Sequence, residues 1–328
     1  MKELIITEKD AGQRFDKFLK RYLVNASTSF IYKMLRKKNI TLNGKKASGN
    51  EILKKDDRTS IFFSDETLEK FTQSITSLDV GKEYENAFST LKDIQVLFEN
   101  QHVIFLSKPA GILTQKALDT DISLNEWMIG YLLDKKEITP ESLTHFKPSV
   151  LNRLDRNTSG LVLCGKTLLG SREISKLLKE RALEKYYRLF VEGTPTKEGL
   201  YVAYLKKDKM TNAVTIVDTM PTDDYDMIKT SFTVKKSTKD YSYIEAELIT
   251  GKTHQLRAHF AHMGYPIVGD PKYNRKEKQR QNEFQFLHAY RIVFPKMCEE
   301  LSDISEKEFI CPLPKRYEIF LDKYFNNQ

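Results

Sequence analysis

Four apolar residues near the N terminus share the three-, four- and seven-residue spacing of one helix face: Phe15, Phe18, Leu19 and Tyr22. This spacing predicts a short helix. N-cap oxygens for a second helix are then offered by Asn25, Ser27, Thr28 and Ser29. The apolar side of this helix would carry Ile31, Met34 and Leu35.

A small sheet is expected beside these helices. Residues 40–42 are typical of a short strand, and Asn43-Gly44 is typical of a hairpin turn. Residues 61–63 can supply a closing strand. Two short helices on a small sheet would therefore form a first domain at residues 1–64.

The chain changes character after this domain. Residues 65–92 are polar with weak helical periodicity, which predicts a partly helical linker. Short β-rich runs then alternate with turns and one clear helix, expected at 168–181. Further strands are predicted at 96–98, 103–106, 161–164, 186–191 and 243–249. This pattern indicates a second domain at 93–328, of the α+β class with a mostly antiparallel sheet.

The net positive charge lies in the first domain. The 328 residues carry 53 Lys and Arg against 45 Asp and Glu. Residues 1–64 hold 15 basic and 7 acidic side chains, which leaves 38 of each sign in the rest. A basic module on a neutral body favours binding of a polyanion, although a Lys-rich solvated face would give the same count.

Several protein classes do not fit the sequence. The longest unbroken apolar run, 200–205, is far shorter than the ~18–20 residues of a membrane helix, and the N terminus lacks the apolar region of a secretory signal. The three cysteines, Cys164, Cys298 and Cys311, form no CxxC pair, which argues against a zinc ribbon or a disulfide framework. We therefore expect a soluble, cytoplasmic protein.

Residues 151–160, LNRLDRNTSG, hold the first candidate for chemistry. Arg153 and Asp155 are two positions apart, so in an extended segment both side chains leave the same face. A cation beside a carboxylate favours its ionised form, which can act as a nucleophile or base. A structural ion pair at a strand end is the alternative.

Residues 250–259 and 264–270 hold a second candidate. A strand would end before Gly251, and Thr253 would cap a short helix that carries Arg257.

Three histidines at this helix invite a metal interpretation: His254, His259 and His262. On a helix, however, His259 lies ~140° from His254, and no nearby acidic residue completes a ligand set. We therefore expect no metal here, and a structural or RNA-facing role for the histidines.

A third stretch, 185–193, alternates as a strand and places Lys185, Tyr187 and Leu189 on one face. A lone tyrosine on a strand is usually a core residue with its hydroxyl satisfied. Tyr187 therefore gains a functional interpretation only together with the other two motifs.

In this order and spacing, the three stretches resemble the RluA family of pseudouridine synthases. The family pattern H-R-L-D-x-x-T-S-G is similar to residues 152–160, and K-x-Y-x-x-x-V-x-G is matched at 185–193. The pattern G-R-T-H-Q-I/L-R, followed by G-x-P-I-x-G-D, is similar to 251–257 and 264–270.

The first domain resembles an S4-type RNA-binding domain over residues 12–64, through the segment 14–19 and the turn at 40–45. Such domains are frequent N-terminal partners in this family. The resemblance implies phosphate contacts from its basic side chains, namely Arg14, Lys33, Arg36, Lys37, Lys38 and Lys45.

The family resemblance implies an enzyme that isomerises uridine to pseudouridine in RNA without cofactor or metal. Asp155 would attack the flipped-out uridine, at C1′ of the ribose or at C6 of the base. Tyr187 would stack on the base and take part in moving the proton. Arg257 would pair with the aspartate and hold it ionised.

The same resemblance implies further substrate contacts. Arg153 would occupy the space left by the flipped nucleotide, and Leu256 would line the base pocket. Lys185, Lys252 and His254 would also contact the RNA.

Two positions depart from the family pattern. Asn152 replaces a histidine but keeps a hydrogen-bonding group, and Lys252 replaces an arginine but keeps the charge without the bidentate fork. We expect activity to survive the change at Asn152, because that position is not the nucleophile. A phosphate or carboxylate contact made by Lys252 is expected to be weaker than one made by arginine.

The expected substrate is large-subunit (23S) ribosomal RNA, and transfer RNA is the competing target. A non-catalytic S4-type factor that binds RNA or ribosomes, and a metal hydrolase, are the alternatives from other classes. We expect a monomer.

Overall fold

The computed structural model describes residues 2–8, 10–72, 77–118, 120–208, 214–274 and 284–326. The chain packs as two compact units, Met1–Thr90 with Glu126–Ser149, and Leu91–Asn125 with Val150–Gln328.

The helices are α1 Phe15–Tyr22, α2 Thr28–Arg36, α3 Asp65–Thr72, α4 Ser77–Thr90, α5 Leu124–Asp134, α6 Ser142–His145, α7 Leu168–Glu180, α8 Gln255–His262 and α9 Lys315–Phe325. The strands are β1 Lys2–Ile5, β2 Ile40–Leu42, β3 Lys45–Lys46, β4 Arg58–Ile61, β5 Gln95–Glu99, β6 Val103–Lys108, β7 Ser149–Val150, β8 Ser159–Gly165, β9 Glu184–Glu192, β10 Gly199–Lys207, β11 Val214–Val217, β12 Asp226–Ser237, β13 Tyr241–Leu248, β14 Leu287–Val293 and β15 Glu308–Ile310. Among the described residues, no helix is both long and apolar enough to cross a membrane.

The first unit contains the small sheet, in the order β1-β4-β2-β3, with α1 and α2 packed on it. The apolar faces predicted for both helices are buried except for Tyr22, which is half-buried. The Ser27 hydroxyl caps α2 by accepting from the Phe30 amide at 3.2 Å. Asn43 and Gly44 have φ of 51° and 70°, as a two-residue hairpin turn requires.

The closing strand of this sheet differs from the predicted one. β4 occupies 58–61 rather than 61–63, because the chain leaves the sheet after Ile61. Phe63 instead packs edge-on against Phe30 at 5.9 Å and near Phe71 at 6.4 Å, so aromatic packing ends the strand.

The predicted linker is largely helical. α3 and α4 occupy most of residues 65–92, while residues 73–76 lie outside the described part of the chain. In the same unit α4 packs closely on α5, because a Cβ on Gly130 would lie 2.2 Å from the Tyr84 carbonyl oxygen. The predicted domain limits at 64 and 92 remain a prediction.

The second unit is built on one large sheet, in the order β11-β10-β12-β13-β9-β14-β8-β6-β5, with β15 beside β14 and β7 beside β8. The predicted α+β class with a mostly antiparallel sheet is confirmed: β8 and β14 run parallel, and the other neighbouring strands along this order run antiparallel. The buried strand β8 lies inside this sheet, between β14 and β6, and directly follows the 151–158 segment.

Glycine is required where β8 begins. Gly160 has φ of 122° and pairs with Ala289 on β14. A Cβ on Gly160 would lie 2.3 Å from the Ala289 carbonyl oxygen. The close approach of these strands fixes where the preceding segment, with Asp155, enters the sheet.

Candidate active site

The three sequence motifs meet around one cavity of about 420 Å³ in the second unit. Its volume falls within the ~300–1,000 Å³ range of small-molecule pockets. The sequence-predicted residues that line it are Arg153, Asp155, Lys185, Tyr187, Lys252, His254, Leu256 and Arg257.

The segment that carries Asp155 is irregular and is held by side chains from elsewhere in the unit. The Thr114 hydroxyl donates to the Leu154 carbonyl at 2.8 Å and accepts from the Leu154 amide at 3.1 Å. The Thr158 amide donates to the Asp155 carbonyl at 3.0 Å, which closes a turn after the carboxylate. The backbone of Asp155 is therefore fixed on both sides.

Lys108 holds the segment that carries Asp155 from the interior of the second unit. Its side chain is fully buried, and Nζ donates to the carbonyl oxygens of Pro109, Ile112 and Arg156 at 2.9, 2.7 and 3.0 Å. Burial lowers the pKa of Lys108 to about 7, and the negative charge of Asp155 opposes that shift. Lys108 thus ties the turn after β6 to the residue that follows Asp155.

Arg257 joins two carboxylates. Its Nη1 donates to Asp155 Oδ2 at 2.7 Å, while Nε and Nη2 donate to the two oxygens of Asp270 at 2.7 and 2.9 Å. The Asp270 carboxylate is completely buried, whereas 28% of the Asp155 side chain is exposed. The buried fork fixes the guanidinium, and the guanidinium fixes one oxygen of Asp155.

The other oxygen of Asp155 is available to a substrate. Among the described residues, Asp155 Oδ1 has no hydrogen-bond partner. The two carboxylates raise the pKa of Arg257 despite its burial, so the guanidinium stays charged. The arrangement presents an oriented carboxylate oxygen to the cavity beside a permanent cation.

Tyr187 lies on β9 with its ring buried in the cavity wall. Burial, and then the negative charge of Asp155, raise the pKa of its hydroxyl. Tyr187 is therefore protonated at neutral pH and offers both a ring face and a hydroxyl.

The start of α8 differs from the prediction. Thr253 does not cap the helix; His254 occupies the N-cap position with φ of 53° and makes no side-chain cap. The side chain of Gln255 instead stabilises the loop before α8, because its Oε1 accepts from the Lys252 amide and the Thr250 hydroxyl at 3.1 and 2.8 Å.

The left-handed turn at His254 directs its ring toward the carboxylate. Nε2 lies 3.8 Å from Asp155 Oδ2, and Nδ1 is 2.9 Å from the Tyr273 hydroxyl. Burial and the charge of Arg257 lower the pKa of His254, and Asp155 opposes that shift.

The remaining predicted side chains differ in whether they have an ion-pair or hydrogen-bond partner within the protein. Arg153 is exposed at the cavity rim and has no ion-pair partner among the described residues, so the cation beside Asp155 is Arg257 rather than Arg153. Lys252 is engaged by Asp226 at 2.7 Å. Asn152, at the family's histidine position, accepts from the Leu163 amide at 2.7 Å and so supports β8.

The histidines of α8 have protein partners. His259 Nδ1 is 3.1 Å from the Thr230 hydroxyl, and His262 Nε2 is 2.8 Å from Asp218 Oδ1. Across the described ranges, no group of three or more His, Cys, Asp or Glu side chains is placed to hold a metal ion.

The basic side chains predicted to bind RNA in the first unit are mostly free. Arg14 is held by Asp16 at 2.9 Å and by Asn50 at 2.6 Å. The others are exposed and make no ion pair within the described part of the chain: Lys33, Arg36, Lys37, Lys38 and Lys45.

Sequence reasoning assigned no role to three residues that build the site. Asp270 ends the G-x-P-I-x-G-D pattern, and Lys108 begins a Lys-Pro-Ala-Gly turn, so each carried a local signal. Thr114 carried none, because its contact with Leu154 joins residues 40 positions apart.

Comparison with known proteins places most of the chain in the same two families that the sequence motifs resemble. The family model for RNA pseudouridylate synthase matches residues 102–262, and the model for the S4 domain matches 13–58.

Three curated relatives illustrate the similarity. An RNA pseudouridine synthase of Mycoplasma genitalium is 32% identical over 304 residues, which cover 90% of each chain. Ribosomal large subunit pseudouridine synthase C of Rickettsia typhi is 31% identical and covers 85% of this chain and 88% of its own. Ribosomal large subunit pseudouridine synthase D of Borreliella burgdorferi is 26% identical over 98% of this chain and 92% of its own.

A solved structure shares the fold. Human RNA pseudouridylate synthase domain containing 4 aligns with a TM-score of 0.58 at 19% identity, over 75% of this chain and 97% of its own.

Proposed function

Because the chain belongs to the RluA family of RNA pseudouridine synthases, we propose that it converts uridine to pseudouridine in large-subunit ribosomal RNA, with Asp155 as the nucleophile. The observation that carries the proposal is the Asp155–Arg257–Asp270 chain of contacts, which holds one carboxylate oxygen and leaves the other open to the cavity.

The reaction exchanges one bond for another. The bond between N1 of uracil and C1′ breaks, a bond between C5 and C1′ forms, the proton on C5 is released, and N1 gains a proton. Asp155 forms the transient bond, at C1′ or at C6, and a fixed, ionised carboxylate is suited to either attack.

Other cavity residues support the rearrangement. The ring of Tyr187 can stack on the uracil, which is worth ~1–3 kcal/mol per base, and its protonated hydroxyl is available where protons are exchanged. Leu256 is an apolar part of the wall. Extruding the nucleotide from structured RNA costs a few kcal/mol, and these contacts offset that cost.

Ribosomal RNA is the proposed substrate for two reasons. The relatives from Rickettsia typhi and Borreliella burgdorferi are named as large-subunit synthases and align over most of the chain. The exposed basic side chains of the S4 domain supply phosphate affinity that does not depend on sequence. We further propose that the protein acts as a monomer in the cytoplasm.

The substrate is tested by tritium release from RNA labelled at C5 of uridine. Unmodified large-subunit ribosomal RNA and bulk unmodified transfer RNA are incubated separately with the protein, and the product nucleosides are separated by chromatography. We expect release, with matching pseudouridine, from ribosomal RNA. Release from transfer RNA alone would replace the proposed substrate, and binding of both RNAs without release would favour a non-catalytic factor.

A further inference from the structure

Arg181 lines the same cavity at the C-terminal end of α7. Its φ of 59° and ψ of 32° lie in the left-handed region, where helices usually end in glycine. A bulky side chain is unfavourable in this conformation, and such residues persist where the surrounding structure or the function requires them.

Arg181 and Lys185 are cations without a counterion. Neither makes a hydrogen bond or an ion pair with another side chain among the described residues. Burial and the positive charge of Arg181 lower the pKa of Lys185, and Glu247 opposes that shift without forming an ion pair. Two like charges therefore converge on the cavity wall, and an anion between them would relieve their repulsion.

The protein's own carboxylate does not fill this role. The carboxylate of Asp155 is already engaged by Arg257 at 2.7 Å. The carboxylate of Asp226 is already engaged by Lys252. The uracil of the target nucleotide is neutral, so the anionic group that accompanies it is the phosphodiester. A guanidinium can bind two phosphate oxygens in parallel, and an ammonium adds a third contact.

We propose that Arg181, together with Lys185, forms a subsite that binds a backbone phosphate next to the flipped uridine. The proposal rests on the proposed function and adds Arg181 to the residues that position the substrate. Phosphate contacts of this kind fix register and hold the strand while the base leaves the stack.

The left-handed backbone at Arg181 allows a substitution that removes the cation without destabilising the fold, so an effect on RNA binding can be separated from an effect on stability. In Arg181→Gly the cation is lost while the strained backbone is relieved, so the melting temperature should stay the same or rise by roughly 2 °C. Lys136→Gly is the matched control, because Lys136 is also an exposed basic residue with φ of 58° just after a helix and does not line the cavity. Both variants are made in the full-length chain.

Two readouts are compared: affinity for single-stranded oligouridylate over a range of salt, and kcat and KM for tritium release from ribosomal RNA. For Arg181→Gly we expect Kd and KM to rise about tenfold, and the slope of log Kd against log salt to fall by about 0.7, as expected when one phosphate is no longer neutralised. Arg181→Lys should recover part of the affinity, and Lys136→Gly should leave both constants within about twofold.

The outcomes distinguish the two proposals. If Arg181→Gly binds and reacts like Lys136→Gly, or if it melts many degrees lower, the subsite is overturned while the proposed function stands. If the wild-type protein releases no tritium but Arg181→Gly still binds oligouridylate about tenfold more weakly, the proposed function fails and the phosphate subsite is supported.

Discussion

The guanidinium of Arg257 depends on a carboxylate that does not itself face the substrate. Asp270 is fully buried and accepts from the two remaining nitrogens of the guanidinium, Nε and Nη2. It also accepts from the amides of Lys272 and Tyr273 at 2.8 and 3.1 Å. Asp270 is therefore a positioning residue: it acts on Asp155 only through Arg257.

Asp270→Asn should misplace Arg257 and reduce kcat by about 10- to 100-fold, because small displacements of catalytic groups cost rates of this order. The free energy of unfolding should fall by about 3 kcal/mol, since a buried ion pair loses one partner. Asp226→Asn is the control, because Asp226 pairs with Lys252 from an exposed position and should change stability by less than about 1 kcal/mol. A folded Asp270→Asn variant with wild-type kcat would contradict the positioning role.

Lys108 allows a second test at the level of single residues. Lys108→Met leaves three carbonyl oxygens without their buried donor, so the free energy of unfolding should fall by about 3 kcal/mol or more. It should also lower kcat, because Arg156 follows Asp155 directly. Lys166→Met removes a largely buried lysine that pairs with Glu99 and should destabilise the protein without lowering kcat of the folded enzyme. Equal kcat for both variants would refute the role of Lys108.

At the scale of elements, the basic helix of the S4 domain should contribute affinity rather than chemistry. Replacing Lys33, Arg36, Lys37 and Lys38 by Gln should weaken RNA binding and reduce the slope of log Kd against log salt by about 0.7–0.9 for each phosphate that is no longer bound. Tritium release at saturating RNA should remain near the wild-type rate. An unchanged salt slope, measured by titration between low and moderate salt, would exclude this face from RNA binding.

Elements with clear periodicity could be predicted from the sequence, and others could not. α1, α2 and α7 each have one apolar face, and their predicted positions are confirmed. α5 is buried at every residue from its start at 124 to 130, so no exposed face marks its period. β1 is mostly exposed and lacks alternation, so its pairing with β4 carried no local signal.

In the candidate site, too, some features could be predicted from the sequence and others could not. The family resemblance of the three motifs predicted Asp155, Tyr187 and Arg257 as site residues, and the structure brings all three to one cavity. The left-handed turn at His254 could not be anticipated, because the choice between Thr253 and His254 as the cap depends on contacts of Gln255 with β12. Contacts between distant segments are set by the tertiary fold and leave no spacing to detect.

At the scale of the whole molecule, two buried histidines contribute strongly to the loss of stability in acid. Burial lowers the pKa of His259 and of His288 to about 4, whereas an exposed histidine titrates near 6.5. Below pH 6.5 the unfolded chain binds protons that the folded chain does not, so stability is complete above that pH and is lost as the pH falls toward 4.

We therefore expect the free energy of unfolding to fall by about 2 kcal/mol for each histidine between pH 8 and pH 5. Urea unfolding at a series of pH values measures this loss, and His259→Gln should remove about half of it. A stability that is flat between pH 8 and 5 would show that these two side chains are not buried in their neutral form.

The central claim is that Asp155 is the nucleophile of an RNA isomerase, and single-turnover tritium release by wild-type protein and by Asp155→Asn tests it most directly. The variant keeps the shape of the side chain and can still accept from Arg257, so its Kd for ribosomal RNA should stay within a few-fold of wild type. We predict stoichiometric release by the wild type and none above background by Asp155→Asn. Release by the variant at a rate within about tenfold of wild type would contradict the account.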